Sequence, residues 1–174
     1  MAATYTLIAS NTLSSSAASV TFSAIPSTYT DLVVKYSARS TDTGSGGQSM
    51  VFQLNGSSTS DYSMTLLRAT ASTASTVRYS ADTRFYSYVT INADGTTSNT
   101  FSSGELYVPN YAGSTNKPAS HFGAMENNST TTWYMDASAF LRSNTAAITE
   151  ITLSVNTYNF KSGSSFFLYG IKNS

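Results

Sequence analysis

Cysteine is absent from this chain of 174 residues, and charged residues make up only 10% of it. The lack of cysteine excludes disulfides, thiolate metal sites and cysteine nucleophiles. Nine basic and nine acidic residues leave a formal net charge of zero, and Lys and Arg form no run anywhere. Because nucleic-acid binders normally carry a basic stripe that pairs with phosphates, we exclude nucleic acid as a partner.

Long apolar runs are also missing. No run approaches the roughly 20 residues that a membrane-spanning helix needs, so we expect no membrane insertion. The first residues, MAATYT, show no positive segment followed by an apolar segment of signal-peptide length. We therefore expect the chain to be made in a cytoplasm and kept there until it reaches its final place.

Serine and threonine fill the space that charges leave, at roughly a third of the chain. Hydrophobic residues make up 40% and aromatic residues 13%. Disorder from composition requires low hydrophobicity and high net charge, and neither is present. The length suits one domain with a substantial core, and no shift in composition divides the chain, so we predict a single domain over residues 1–174.

Alternation of apolar and polar residues dominates the sequence and predicts half-buried strands. It is clearest in segments 18–24, 31–39, 84–91 and 149–155. Further strands are predicted at 4–9, 49–54, 62–68, 101–108, 121–126, 132–141 and 164–171, whereas 65–75 reads as strand followed by loop. About ten strands with turn signals between them predict an all-β, antiparallel two-sheet sandwich, and their number and loop lengths favour a jelly roll.

The residues for catalysis are sparse. His121 is the only histidine, and a histidine base needs a nucleophile and an orienting partner. No serine lies in a Gly-x-Ser-x-Gly turn. We interpret His121 as a loop or strand-edge residue that makes a local hydrogen bond, and we predict that the chain is not an enzyme.

Carboxylates are scattered along the chain. Glu105, Glu126 and Asp136 lie on or beside predicted strands and could meet across a sheet as an acid–base pair. Solvation, or pairing with Lys or Arg on the polar face, is the simpler interpretation. Asp42 and Asp94 stand near Thr and Gly as calcium-binding loops do, but their spacing is that of turn residues. We expect no metal and no cofactor.

Aromatic residues carry the one functional indication in the pattern. Tyr86 and Tyr88 alternate with Phe85, and Tyr134 is predicted to lie opposite its two neighbours. Tyrosine combines a large flat area with a polar tip, which suits subunit interfaces and stacking on sugar rings. Burial under the second sheet would explain the same pattern. The candidate interface or ligand residues are Tyr86, Tyr88, Trp133 and Tyr134.

Three stretches together resemble a known family. They are YTLIASNTL at 5–13 with VTFSAIP at 20–26, LYVPNYAGSTNKP at 106–118, and FFLYGIK at 166–172. The set resembles a family of small virion proteins of tailed bacteriophages, especially phages of aquatic bacteria. Segment 44–83 resembles the family least. The resemblance implies a virion component and supplies no catalytic residues.

Two functions follow from the resemblance. The first is a capsid decoration protein, which would form a homotrimer or another symmetric oligomer and would bind virion proteins such as the major capsid protein. The alternative is a tail- or head-fibre module that recognises a host-surface glycan through loops such as 42–48 or 127–132. A depolymerising enzyme is a third hypothesis, for which the sequence offers only the scattered carboxylates.

Overall fold

A computed structural model describes residues 4–128 and 133–172, and every regular element in these ranges is a β-strand. No helix in the described part of the chain is long and apolar enough to cross a membrane. The strands are β1 (Tyr5–Thr12), β2 (Ser19–Phe22), β3 (Asp31–Ala38), β4 (Gly47–Gln48), β5 (Met50–Leu54), β6 (Tyr62–Thr70), β7 (Thr73–Asp82), β8 (Phe85–Tyr86), β9 (Ile91–Asn92), β10 (Ser102–Val108), β11 (Lys117–Met125), β12 (Tyr134–Arg142), β13 (Ile151–Val155) and β14 (Ser165–Ile171).

Two antiparallel sheets form a sandwich, as the sequence predicts. The large sheet has eight strands in the order β1-β14-β3-β10-β11-β12-β6-β7, and the small sheet has four in the order β2-β13-β5-β8. Strands β4 and β9 make a separate two-stranded ladder. A jelly roll is built from eight strands in two Greek keys. The unequal sheets do not confirm that part of the prediction.

The core lies between the two sheets and follows from the period of two. In β13 the burial alternates strictly, with Ile151, Leu153 and Val155 buried and the residues between them half-buried. Strand β3 departs from this pattern, since Val33 on its other face is also fully buried. Val33 lies between Tyr169 and Tyr107 of the neighbouring strands, which flank it on that face.

Three of the four segments with the clearest alternation each contain one strand, whereas the predictions differ from the structure at 84–91 and at 73–82. Segments 31–39 and 149–155 correspond to β3 and β13. Segment 84–91 is not one strand, because 87–90 leaves the extended pairing between β8 and β9. Segment 73–82, where the sequence predicts no strand, forms β7, which pairs with β6 through a turn at Ala71 (φ 51°). An edge strand buries few side chains, so its sequence has no apolar face to detect.

The buried side chain of Arg39 binds the long loop between β9 and β10. Arg39 is 2% exposed and directly follows β3. Its guanidinium donates hydrogen bonds to four backbone carbonyls, those of Asp94, Thr96, Thr97 and Thr100. The loop between β9 and β10 therefore wraps around a single side chain.

Candidate functional site

A cleft opens where the two sheets part, between edge strand β7 of the large sheet and edge strand β8 of the small sheet. We call it the tyrosine cleft and define it by Tyr79, Asp82, Arg84, Tyr86, Tyr88 and Asn156. Its volume is about 460 Å³, within the range of small-ligand sites. Sequence analysis identified two of these residues, Tyr86 and Tyr88.

The segment that carries Tyr86 and Tyr88 is held in place by buried hydrogen bonds. The Ser87 amide donates to the Met50 carbonyl at 2.8 Å, and the Ser87 hydroxyl accepts from the Met50 amide at 2.9 Å. The Ser87 and Thr90 hydroxyls are 2.6 Å apart. These side-chain bonds replace strand pairing, which explains why alternation breaks at this point.

Two arginines pack on the tyrosine rings. The Arg84 guanidinium lies 5.1 Å from the centre of the Tyr86 ring, and its Nε donates to the Tyr86 hydroxyl at 3.0 Å. Arg68 lies 3.9 Å from the centre of the Tyr88 ring. Cation–π contacts of this kind fix ring orientation and keep a charge at the cleft wall. The Tyr79 side chain is 43% exposed and makes the open side of the cleft.

Acidic, basic and amide side chains line the same cleft. Arg84 also reaches the Asn156 amide oxygen at 3.4 Å. The Asp82 Oδ1 accepts the Thr83 amide at 2.7 Å. Among the described residues, neither Asp82 nor Arg84 has an ion-pair partner within 4.0 Å. The cleft therefore presents a carboxylate, an amide and a guanidinium beside aromatic rings.

The other two predicted aromatics lie near this region. Tyr134 makes an edge-to-face contact with Tyr88, with ring centres 6.2 Å apart. Its neighbour Met135 is the residue that points to the opposite, exposed face, at 42% exposure. Tyr134 thus lies on the side of Tyr88, and Trp133 is half-buried beside it in sequence. Residues 129–132 of the predicted glycan-binding loop 127–132 lie outside the described residues.

A second cluster lies in the core and corrects the interpretation of His121 and Asp136. His121 stands inside β11, not at its edge, and its Nδ1 is 2.9 Å from Oδ1 of Asp136. Both side chains are fully buried, and the two atoms meet without hydrogen-bond alignment. The Tyr36 hydroxyl is 2.8 Å from Nε2 of His121. His121, which the sequence analysis interprets as a loop or strand-edge residue, is therefore part of the core.

The Tyr36–His121–Asp136 array is tied to the cleft. The Tyr88 amide donates to Asp136 Oδ2 at 2.6 Å, so the buried carboxylate positions a cleft residue. Burial and the nearby Asp136 carboxylate raise the pKa of Tyr36, which keeps its hydroxyl protonated. Gly104 gives the Tyr36 ring its space, since a Cβ there would overlap the Tyr36 hydroxyl. The array is enclosed, so it holds the fold together and offers no surface to a substrate.

The remaining carboxylates make local contacts. Glu105 pairs with Lys35 at 3.0 Å, as the solvated interpretation predicts. Asp42 accepts the Gly44 amide and the Gln48 side chain, which is the behaviour of a turn residue. Asp94 pairs with Arg39 and Lys161, which lower its pKa. Over residues 4–128 and 133–172, no three His, Asp or Glu side chains gather as metal ligands.

The outward surface of the large sheet carries most of the exposed large hydrophobic side chains of the described residues. We call it the outer face. The pairing register puts six of the chain's exposed large hydrophobic side chains on it. They are Tyr5, Leu7, Leu67, Phe122, Met135 and Leu141. Four of them lie on the adjacent strands β11, β12 and β6, and an exposed apolar cluster of this kind is typical of an interaction surface.

The centre of the outer face is a shallow depression of about 380 Å³ beside Phe122. Small side chains make its floor, namely Ser120, Ala137 and Ala139. Lys35 and Glu105 lie beside the depression on the neighbouring strands β3 and β10, and their opposite charges neutralise each other. Alternation in β11 and β12 predicts that Phe122 and Met135 point to solvent. The sequence pattern does not predict that eight strands form one continuous sheet face.

Comparison with protein-family models, with curated proteins and with solved structures finds no match to this chain.

Proposed function

We propose that the chain is a structural protein of the bacteriophage virion surface, a capsid decoration protein that binds the outer capsid and stabilises it. The proposal takes its biological setting from the three resembling stretches. Two of them supply β1 and β14, which pair along their length, and the third supplies the end of β10 and the connection from β10 to β11. The proposal includes no catalytic role, and it locates the mature protein in the virion after synthesis in the host cytoplasm.

The outer face is the observation that carries the proposal. Eight strands at about 4.8 Å spacing, each presenting about seven residues at about 3.3 Å, give a face of roughly 900 Å². A stable protein interface buries about 800 Å² on each partner. The face therefore has the area that one subunit contact requires, and its apolar side chains supply the driving force.

We assign a second copy of the chain as the occupant of this face. In a two-fold contact each copy offers the same surface, so a projecting side chain must find a depression on its partner. Phe122 projects beside the floor formed by Ala137 and Ala139, and it can enter that depression on the other copy. The zero net charge removes repulsion between copies, and Lys35 of each can approach Glu105 of the other.

Light scattering coupled to size-exclusion chromatography tests this assignment. We expect the purified chain to be at least a dimer and Phe122→Asp to be a monomer, because the contact would bury a charge without a partner. Phe122 is 50% exposed, so the substitution leaves the core intact. The matched control is Tyr158→Asp, at a residue 40% exposed in the loop after β13. A wild-type monomer, or equal effects of both substitutions, contradicts the assignment.

Position and copy number in the virion test the function itself. Hundreds of copies on the head, with a loss of heat or osmotic stability in virions that lack the chain, are the expected result. A few copies at the tail would instead support the alternative, a tail- or head-fibre module. Virions of unchanged stability without the chain would refute the decoration role, whatever the oligomeric state of the purified protein.

A further inference from the structure

We propose that the tyrosine cleft is a saccharide-binding site for neutral oligosaccharides with adjacent free hydroxyls. The inference goes beyond the decoration role and does not depend on it. The cleft and the outer face are separate surfaces, since Tyr79 pairs with Met64, whose side chain points into the core. A ligand in the cleft would therefore not compete with a second copy on the outer face.

The aromatic walls of the cleft suit the apolar faces of sugar rings. Tyr86 and Tyr88 are half-buried, and each has one arginine packed on its ring. Rings that are fixed before binding lose little entropy when a ligand arrives. Tyr79 is open to solvent, which leaves its ring as a platform at the mouth of the cleft. Tyrosine also adds a hydroxyl at the end of each apolar surface.

The polar groups of the cleft match a ligand that is both donor and acceptor. The Asp82 carboxylate carries two oxygens, and only Oδ1 has a hydrogen bond within the described chain, from its own neighbour Thr83. A carboxylate accepts hydrogen bonds from two adjacent hydroxyls. Arg84 and Asn156 carry N–H groups that can donate hydrogen bonds to oxygens of the same sugar. Hydroxyls satisfy both sets at once.

Other ligand classes fit this combination less well. An apolar ligand would bury the Asp82 carboxylate and the Arg84 guanidinium without partners, which is unfavourable. A nucleic acid would meet Asp82 on a chain with no net positive charge. An acidic sugar could pair with Arg84 but would bring its own carboxylate close to Asp82, which lines the same cleft. The charges therefore favour a neutral saccharide.

An array of neutral and acidic oligosaccharides, probed with the full-length chain, is the first experiment. We expect retention of neutral oligosaccharides, followed by a millimolar to micromolar dissociation constant in isothermal titration with the best neutral hit. Absence of binding to every sugar on the array at high protein concentration would overturn the proposal. Retention of acidic sugars alone would also overturn it, since it would show that Arg84 dominates and Asp82 does not.

Substitutions then place the ligand in the cleft. Tyr79→Ala should weaken binding about tenfold, because it removes the stacking platform. Asp82→Asn should weaken it by a similar factor while keeping the side chain's shape. Tyr158→Ala is the matched control, as an equally exposed tyrosine outside the cleft, and it should change nothing. Unfolding curves that coincide with the wild type establish that the variants are folded. Binding that survives both cleft substitutions would put the site elsewhere.

Discussion

Replacement of Asp136 by leucine is the most direct test of the buried array. Leucine keeps the branch at Cγ, with two methyl groups in place of the two carboxylate oxygens, and so removes the charge and the hydrogen-bond acceptors of Asp136. The His121 ring, the Tyr88 amide and the Ser138 hydroxyl then lose the carboxylate oxygens that lie 2.9, 2.6 and 3.3 Å from them. Each buried polar group that is left without its partner costs about 1–3 kcal/mol. A domain has a total stability of about 5–15 kcal/mol, so Asp136→Leu should bring this one close to unfolding.

Further substitutions separate the contributions of the individual polar groups to this loss of stability. The triple variant Tyr36→Phe, His121→Phe and Asp136→Leu removes the polar side chains together. Replacement of a whole buried pair by apolar residues is often neutral. The Tyr88 amide and the Ser138 hydroxyl still lose this acceptor, as they do in Asp136→Leu, but the triple variant no longer contains a buried His121 ring without its partner, a defect that costs about 1–3 kcal/mol. The triple variant should therefore be more stable than Asp136→Leu by about 1–3 kcal/mol.

Urea denaturation followed by circular dichroism measures these differences, with the slope compared between variants to check two-state behaviour. The matched control is Asp82→Leu, at a half-buried carboxylate without a cation partner within 4.0 Å in the described chain. We expect it to change stability by less than about 1 kcal/mol. If Asp136→Leu costs no more than that control, the buried carboxylate does not hold the fold, and our reasoning about the array is wrong.

Two further predictions concern other buried contacts. Arg39→Lys should lower the free energy of unfolding by more than about 2 kcal/mol, since an ammonium cannot reach four carbonyls in a fork; hydrogen exchange should speed up within residues 93–100 and stay unchanged in β13. Asp31 accepts the Tyr107 hydroxyl at 2.7 Å and raises the pKa of Tyr107 to about 12. The folded-state pKa exceeds the usual value of about 10, so the stabilisation is complete below pH 10 and is lost as the pH rises through about 12. Titration of tyrosinate absorbance should show one residue shifting toward pH 10 in Asp31→Asn, and an unchanged curve would refute the contact.

The sequence predicts the strands better than it predicts their partners. Alternation locates β3 and β13 because one face of each is buried, and the period of two follows directly from that. Pairing of β1 with β14 joins the two ends of the chain, and no local pattern encodes it. The jelly-roll prediction infers the topology from the number of strands. That number does not determine which sheet a strand enters.

The site shows the same division. Tyr86 and Tyr88 were found because aromatic residues in an alternating run are conspicuous. Tyr79 and Asp82 lie on β7, an edge strand whose polar sequence resembles a loop, so only the folded chain brings them to the cleft. His121 was interpreted as a loop or strand-edge residue because sequence reasoning treats polar residues as exposed. Its buried partner lies fifteen residues away on the neighbouring strand, a distance in sequence that has no periodic signal.

The two proposed surfaces fit together in one molecule. Cover of the outer face by a second copy would leave the tyrosine cleft open, because the cleft faces the space between the sheets at the far edge of the large sheet, where β7 ends the strand order. Asp136 connects the cleft to the core through the Tyr88 amide. Loss of the array should therefore disturb saccharide binding as well as stability. Loss of Phe122 should change assembly alone, and this difference separates the two surfaces by experiment.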